Sequence, residues 1–229
     1  MSGQGKIYWS HLLYHGPNME PVRIDYCKCR STSEVIAQKF LGEKVLGFDM
    51  EWESEIGPLQ EKISCIQLAS ESRIALFHIG LHVGSTPEEL IAPSLRKIIE
   101  SPNVTKTGVA VERADAIRLR KFFRIQPRGL IELSQLHRLV KYGATSAGKV
   151  NKCLVSLKTQ VEEHLHLPLL KDKTRRSKWS RPLSQKQIKY AAADAYAGFM
   201  LYHCLEAKRT RMDPIHPRPA YAELHLPIQ

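Results

Sequence analysis

The chain has 229 residues, 34 of them Lys or Arg against 23 Asp or Glu, for a formal net charge of +11. That length fits one domain with short tails, and a hydrophobic share of 43% is enough for one core. The five cysteines (Cys27, Cys29, Cys65, Cys153, Cys204) are odd in number and form no CxxC pair, which argues against a disulfide scaffold and a zinc knuckle.

The N-terminus carries no apolar run and no stretch is long enough to cross a membrane, so an intracellular, soluble protein of nucleus or cytoplasm is expected. Its cysteines are expected as buried or half-buried thiols. The positive surplus points toward an anionic partner, of which nucleic acid is the commonest, although a generally basic surface gives the same number.

Residues 1–20 read as an irregular lead-in, 21–210 as the domain, and 211–229 as a Pro-rich, extended or disordered tail. Within the domain, Val22–Tyr26 reads as a strand. Ser31-Thr-Ser-Glu34 has the form of a capping box opening a helix. Val45–Asp49 is a short apolar run typical of a buried strand. Ile63–Leu68 and Ile74–Ile79 read as a hairpin. Thr86-Pro-Glu-Glu89 starts a helix, with another around Leu95–Ile99. Val104–Val111 reads as a fourth strand, Asp115–Phe123 as a basic helix, and Gly129–Leu133 as a short strand. Leu154–Leu165 is helical in pattern, and residues 171–183 form a basic loop. Ser184-Gln-Lys-Gln187, flanked by Leu183 and Ile188, caps a helix running to about Lys208. A mixed sheet with helices packed on it fits this order.

Four acids stand out: Asp49, Glu51, Asp115 and Asp194. Asp49 and Glu51 are two apart at a strand end and therefore share one face. Carboxylates that close repel unless a cation lies between them, and such hard oxygen donors suit Mg²⁺ or Mn²⁺. With 23 acids in the chain, an isolated Asp-x-Glu is also expected by chance. Tyr190 and Asp194 are one helical turn apart on one face. The alanines around them, with Gly198, make a thin helix able to approach a sheet closely. Asp115 alone would pass for a helix-capping acid.

Taken in order, these residues resemble the DEDD 3′-5′ exonucleases, in the subgroup with a tyrosine in the last motif. Gly-Phe-Asp49-Met-Glu51-Trp matches the first motif, Glu-Arg-Ala-Asp115-Ala-Ile-Arg-Leu the second, and Tyr190-Ala-Ala-Ala-Asp194-Ala-Tyr-Ala-Gly the third. The histidine subgroup is excluded, since Lys189 stands at its position. Leu169–Leu183 leading into the third motif is similar to the exonuclease domain of the Werner syndrome protein and its stand-alone relatives. One departure is visible: Gly108–Asp115 is one residue longer than the pattern, which leaves Glu112 as an alternative to Asp115.

The resemblance implies a ribonuclease-H-like α/β fold, a mixed five- to six-stranded sheet flanked by helices. It also implies hydrolysis with two Mg²⁺ or Mn²⁺ ions per site, releasing nucleoside 5′-monophosphates from a DNA or RNA 3′ end. Asp49, Glu51, Asp115 and Asp194 would hold the metals. Tyr190, whose unperturbed pKa is about 10, would orient the water rather than act as base. Lys171, Lys173, Arg175, Arg176, Lys178 and Arg181 suit phosphate contacts, with Trp179 stacking on a base. A solvated charge run or nuclear-import signal would look similar. The run Arg118–Lys121 reads as a plain solvated helix face, and His78, His164 and His166 lack acidic or thiolate partners at ligand spacing. Rival readings are a non-catalytic nucleic-acid-binding module, an endonuclease on the same fold, and a plain basic structural protein.

Overall fold

The computed structural model describes residues 7–228. Six strands, β1 (Arg23–Cys27), β2 (Val45–Glu51), β3 (Cys65–Ala69), β4 (Arg73–Phe77), β5 (Thr105–Gly108) and β6 (Leu130–Glu132), form one mixed sheet in the order β1-β4-β3-β2-β5-β6. The β2–β3 and β3–β4 pairs are antiparallel; β1–β4, β2–β5 and β5–β6 are parallel. The β3–β4 hairpin and the expected sheet class are both present.

Side chains alternate along each strand, so the sheet builds a core on each face. Phe48, Met50, Ile66 and Leu68 face one side with Phe40, Leu95, Ile98, Leu119 and Phe123. The helices there are α1 (Arg30–Ala37), the short α2 (Leu59–Lys62) and α3 (Pro87–Leu90), then α4 (Pro93–Glu100) and α5 (Ile117–Phe123). Cys65, Ala69, Ile74 and Leu76 face the other side, under α6 (Leu133–Tyr142), α7 (Leu157–Leu165) and the 25-residue α8 (Gln185–Arg209).

The approach of α8 to the sheet fixes the architecture. A Cβ on Gly47 would lie 2.0 Å from the Ala195 carbonyl oxygen, and one on Gly198 2.9 Å from that of Thr107. The Thr107 hydroxyl donates to the Gly198 carbonyl at 2.9 Å, pinning the helix across β2 and β5. The capping boxes at Thr86 and Ser184 form as their sequences require.

The box expected at Ser31 does not form. The helix begins at Arg30, and Glu34 instead accepts from Ser94 N and Oγ on α4, tying two helices together. The strand read over Val104–Val111 stops at Gly108, because Ala110 turns left-handed (φ 63°) into a π-helical turn over Val111–Ala116. The run Ile74–Ile79 likewise ends at Phe77, and the helix read from Leu154 starts at Leu157 behind its Ser156 cap.

Both flanks of the domain hold to it. Trp9 is buried, bridges Leu169, and donates its indole N–H to Tyr14 at 3.0 Å. The Pro-rich tail is irregular but strapped down. Arg218 donates to the Tyr202 hydroxyl at 2.7 Å, and the Glu223 carboxylate accepts from Gly129 N and Leu130 N at the entry to edge strand β6.

Because Gly47 is met by helix backbone and not by a yielding side chain, Gly47→Ala is expected to destabilise the domain by about 2–3 kcal/mol or more in urea unfolding. Unchanged stability would show that α8 can lift off the sheet without cost.

Candidate active site

The site lies where β2 outruns β5. Their parallel pairing covers only Val45–Gly47, so Asp49 and Glu51 project past the point where β5 turns away. Gly47, Asp49 and Glu51 share the face under α8, and the helix seated at Gly47 brings Asp194 over that strand end. Donor oxygens of Asp49, Glu51 and Asp194 all lie within 4.8 Å of one another. Glu51 and Asp194 are buried at 8% and 4% exposure, and Asp194 Oδ1 has no hydrogen-bond partner.

Asp115 stands apart from this trio, buried inside the π-helical turn. It is close enough to be influenced by the charges of Asp49, Glu51 and Glu132. A π turn holds one more residue than an α turn, and Asp115 is buried within this one. Glu112, the alternative, is engaged elsewhere. Its carboxylate takes a two-pronged contact from Arg120, at 2.6 and 2.9 Å.

Desolvation raises the pKa of all four carboxyls, and neighbouring carboxylates add to the shift at Asp49, Glu51 and Asp115. One cation already faces them. The Lys171 ammonium pairs with Asp194 Oδ2 and donates to the Tyr190 hydroxyl at 3.1 Å. Desolvation, reinforced by Asp194, holds the Tyr190 phenol far above its ordinary value, so it stays protonated.

Two recesses meet at these acids. One, of about 520 Å³, runs from Asp49 and Asp194 past Phe48 to Leu157 and Lys158 at the start of α7. The other, of about 350 Å³, runs past Glu51 to Trp52 and Tyr190. Lys171 and Arg175 line both. Lys173, Arg176, Lys178 and Arg181 are exposed on the same loop but line neither recess.

Trp179 departs from its expected role. It has no exposed surface and packs against Tyr190 with ring centroids 6.1 Å apart, so its face is closed to a base. Its carbonyl accepts from His78 Nε2 at 2.7 Å, which leaves His78 Nδ1 to accept from the Tyr26 hydroxyl at 2.7 Å. Trp179 is therefore a peg that fixes the basic loop beside α8.

The run Arg118–Lys121 is also more than a solvated face. Arg118 is buried, stacks 4.2 Å over Trp52, and donates to Glu55, while Arg120 holds Glu112. His164 does have partners. It lies with His137 and Glu163 within 4.8 Å. Lys208 lies 3.0 Å from its Nδ1, so its Nε2–H is left to donate to His137 Nδ1 at 2.9 Å. With Lys141 on Glu163, this cluster is a polar network that satisfies itself. All five cysteines are free; Cys29 and Cys153 are exposed, against the expectation of burial.

A sequence profile described as 3′-5′ exonuclease matches residues 24–209. The chain belongs to the 3′-5′ exonuclease family. Its members are hydrolases acting on nucleic acids. The domain is 34% identical over 183 residues to the mouse bifunctional 3′-5′ exonuclease/ATP-dependent helicase WRN, covering 77% of this chain and 12% of that protein. It is 30% identical over 173 residues to an Arabidopsis thaliana 3′-5′ exonuclease, covering 72% of this chain and 54% of the relative. The chain thus spans about half or less of these relatives. In fold it is similar to the Aedes aegypti Nibbler EXO domain, with a TM-score of 0.68, 20% identity, and coverage of 86% of this chain and 93% of that one. Among the described residues no helix is long and apolar enough to cross a membrane.

A carboxyl whose native pKa lies above its unfolded value of about 4 stabilises the fold at low pH and loses that contribution as pH rises toward the native value. With Asp49 raised to about 7 and Glu51 to about 9, metal-free protein is expected to lose melting temperature between about pH 5 and 9. The part due to this cluster is the difference between wild type and Glu51→Gln in EDTA. Added Mn²⁺ should erase it, and identical pH profiles for the two proteins would refute the electrostatic account.

Proposed function

We propose that this exonuclease domain shortens nucleic acids from the 3′ end with two divalent cations, Mg²⁺ or Mn²⁺, held by Asp49, Glu51, Asp115 and Asp194. The observation that carries this reading is the convergence of Asp49, Glu51 and Asp194 within 4.8 Å around an unpartnered carboxylate oxygen. The donor set is all hard oxygen, the carboxyls repel one another, and the protein places its own ammonium among them, so the residues fit such ions. When bound, the ions would acidify the attacking water and offset charge on the scissile phosphate.

The chain's own groups supply the rest. Asp49, Glu51 and Asp194 would hold the cations at the strand end, and Asp115 would serve the leaving-group side. Tyr190, kept protonated, orients the attacking water through its hydroxyl and does not remove a proton. Lys171 and Arg175 meet phosphate at the junction of the two recesses, while Lys173, Arg176, Lys178 and Arg181 draw the strand in without reading its sequence. The products would be nucleoside 5′-monophosphates. Five unpaired cysteines are consistent with a reducing, intracellular setting.

The test is a 5′-labelled single strand, as DNA and as RNA, incubated with Mg²⁺, Mn²⁺ or EDTA. A ladder shortening from the 3′ end only with metal is expected, and the faster strand identifies the sugar. Asp194→Asn should slow it about 100-fold or more. Tyr190→Phe keeps the ring against Trp179 and should cost about 10- to 100-fold. Tight binding without cleavage would leave a nucleic-acid-binding module, and cleavage of a circular strand would indicate an endonuclease.

A further inference from the structure

Gln67, at the middle of β3, has no exposed surface, and neither its amide nitrogen nor its carbonyl oxygen has a hydrogen-bond partner. The Cys65 thiol lies near enough for at most a weak contact with it, which does not satisfy a carboxamide. A buried amide left in that state destabilises a fold, and an apolar side chain of similar length would fill the space without the penalty.

Strand register shows what the amide serves. Across the β2–β3 pair Gln67 stands opposite Asp49, and Cys65 opposite Glu51. Cross-strand partners point to the same face with Cβ atoms about 5 Å apart, so the carboxamide lies beside Asp49 on the face under α8. Cys65 and Ala69, its neighbours on that face, pack in the same core as Ala191 and Ala195 of α8. Asp194, on the same helix, also leaves a buried oxygen unpartnered.

Resting on the exonuclease reading above, we propose that Gln67 is a positioning residue whose buried amide N–H orients the Asp49 carboxylate across one water for cation binding. Groups that orient a metal ligand from behind typically contribute 10- to 100-fold in affinity or rate.

The experiment uses Gln67→Met and Gln67→Leu in the full chain. Mn²⁺ affinity is measured by calorimetry, kcat and KM on a single strand, and melting temperature in EDTA. Both variants should bind Mn²⁺ and turn over about 10- to 100-fold less well with KM unchanged. Their melting temperature should be equal to wild type or higher by about 2–4 °C. Unchanged Mn²⁺ affinity and kcat would overturn the proposal. So would a melting temperature that falls in both variants, which would make Gln67 a structural residue. Mn²⁺ affinity is read without turnover. A wild type that binds Mn²⁺ but cleaves nothing would therefore sink the exonuclease reading alone, with the variants still judging Gln67, and a wild type that binds no Mn²⁺ would overturn both.

Discussion

The seating of α8 on β2 at Gly47 is the contact on which this domain depends. Backbone touches backbone there, and the Thr107 hydroxyl locks the next turn of the helix at Gly198. Everything chemical follows from that seat. Asp194 lies one turn from Gly198 and Tyr190 one turn further, so the height of the helix above the sheet sets their distance from Asp49 and Glu51. A helix held away by ordinary side chains would carry Asp194 out of reach of the strand end. Rigid elements on both sides of a site hold functional groups more accurately than loops do.

That contact gathers buried negative charge which the protein balances with its own cations. Lys171 and Arg175 face the acids, Arg118 stacks on Trp52 at the edge of one recess, and Arg120 neutralises Glu112 beside Asp115. The net charge of +11 is therefore more than a strand-attracting surface. Part of it is spent within the protein, and Lys173, Arg176, Lys178 and Arg181 are what the basic loop turns outward. Loop position is fixed from below by Trp179, wedged between the His78–Tyr26 pair and Tyr190.

What the sequence made legible were features resting on a local period or cap: the two acids at the end of β2, the Tyr190–Asp194 pair, and the boxes at Thr86 and Ser184. Features set by tertiary contact were not. Glu34 has the right spacing for a capping box, yet Ser94, sixty residues on, outcompetes the local partner. Trp179 amid basic residues looks like a stacking platform, and only the packing of the loop shows it to be a peg. Helix α6 has the apolar spacing Leu133, Leu136 and Val140, but its first residue also ends the apolar run of the preceding strand, so the local pattern does not separate the two. Gln67 left no trace, since nothing local marks a polar residue in an apolar strand as more than a neutral substitution.

The π-helical turn that carries Asp115 holds one residue more than an α-helical turn would. The wider turn runs from Val111 to Ala116, and the chain continues into α5 with Leu119 and Phe123 in the core. An alignment of fixed interval, counting from Gly108, arrives one residue early at Ala114, finds no acid, and files the domain among inactive descendants. Whether such a domain is classed as an enzyme or a relic thus turns on one gap, placed where backbone geometry rather than residue identity keeps the count.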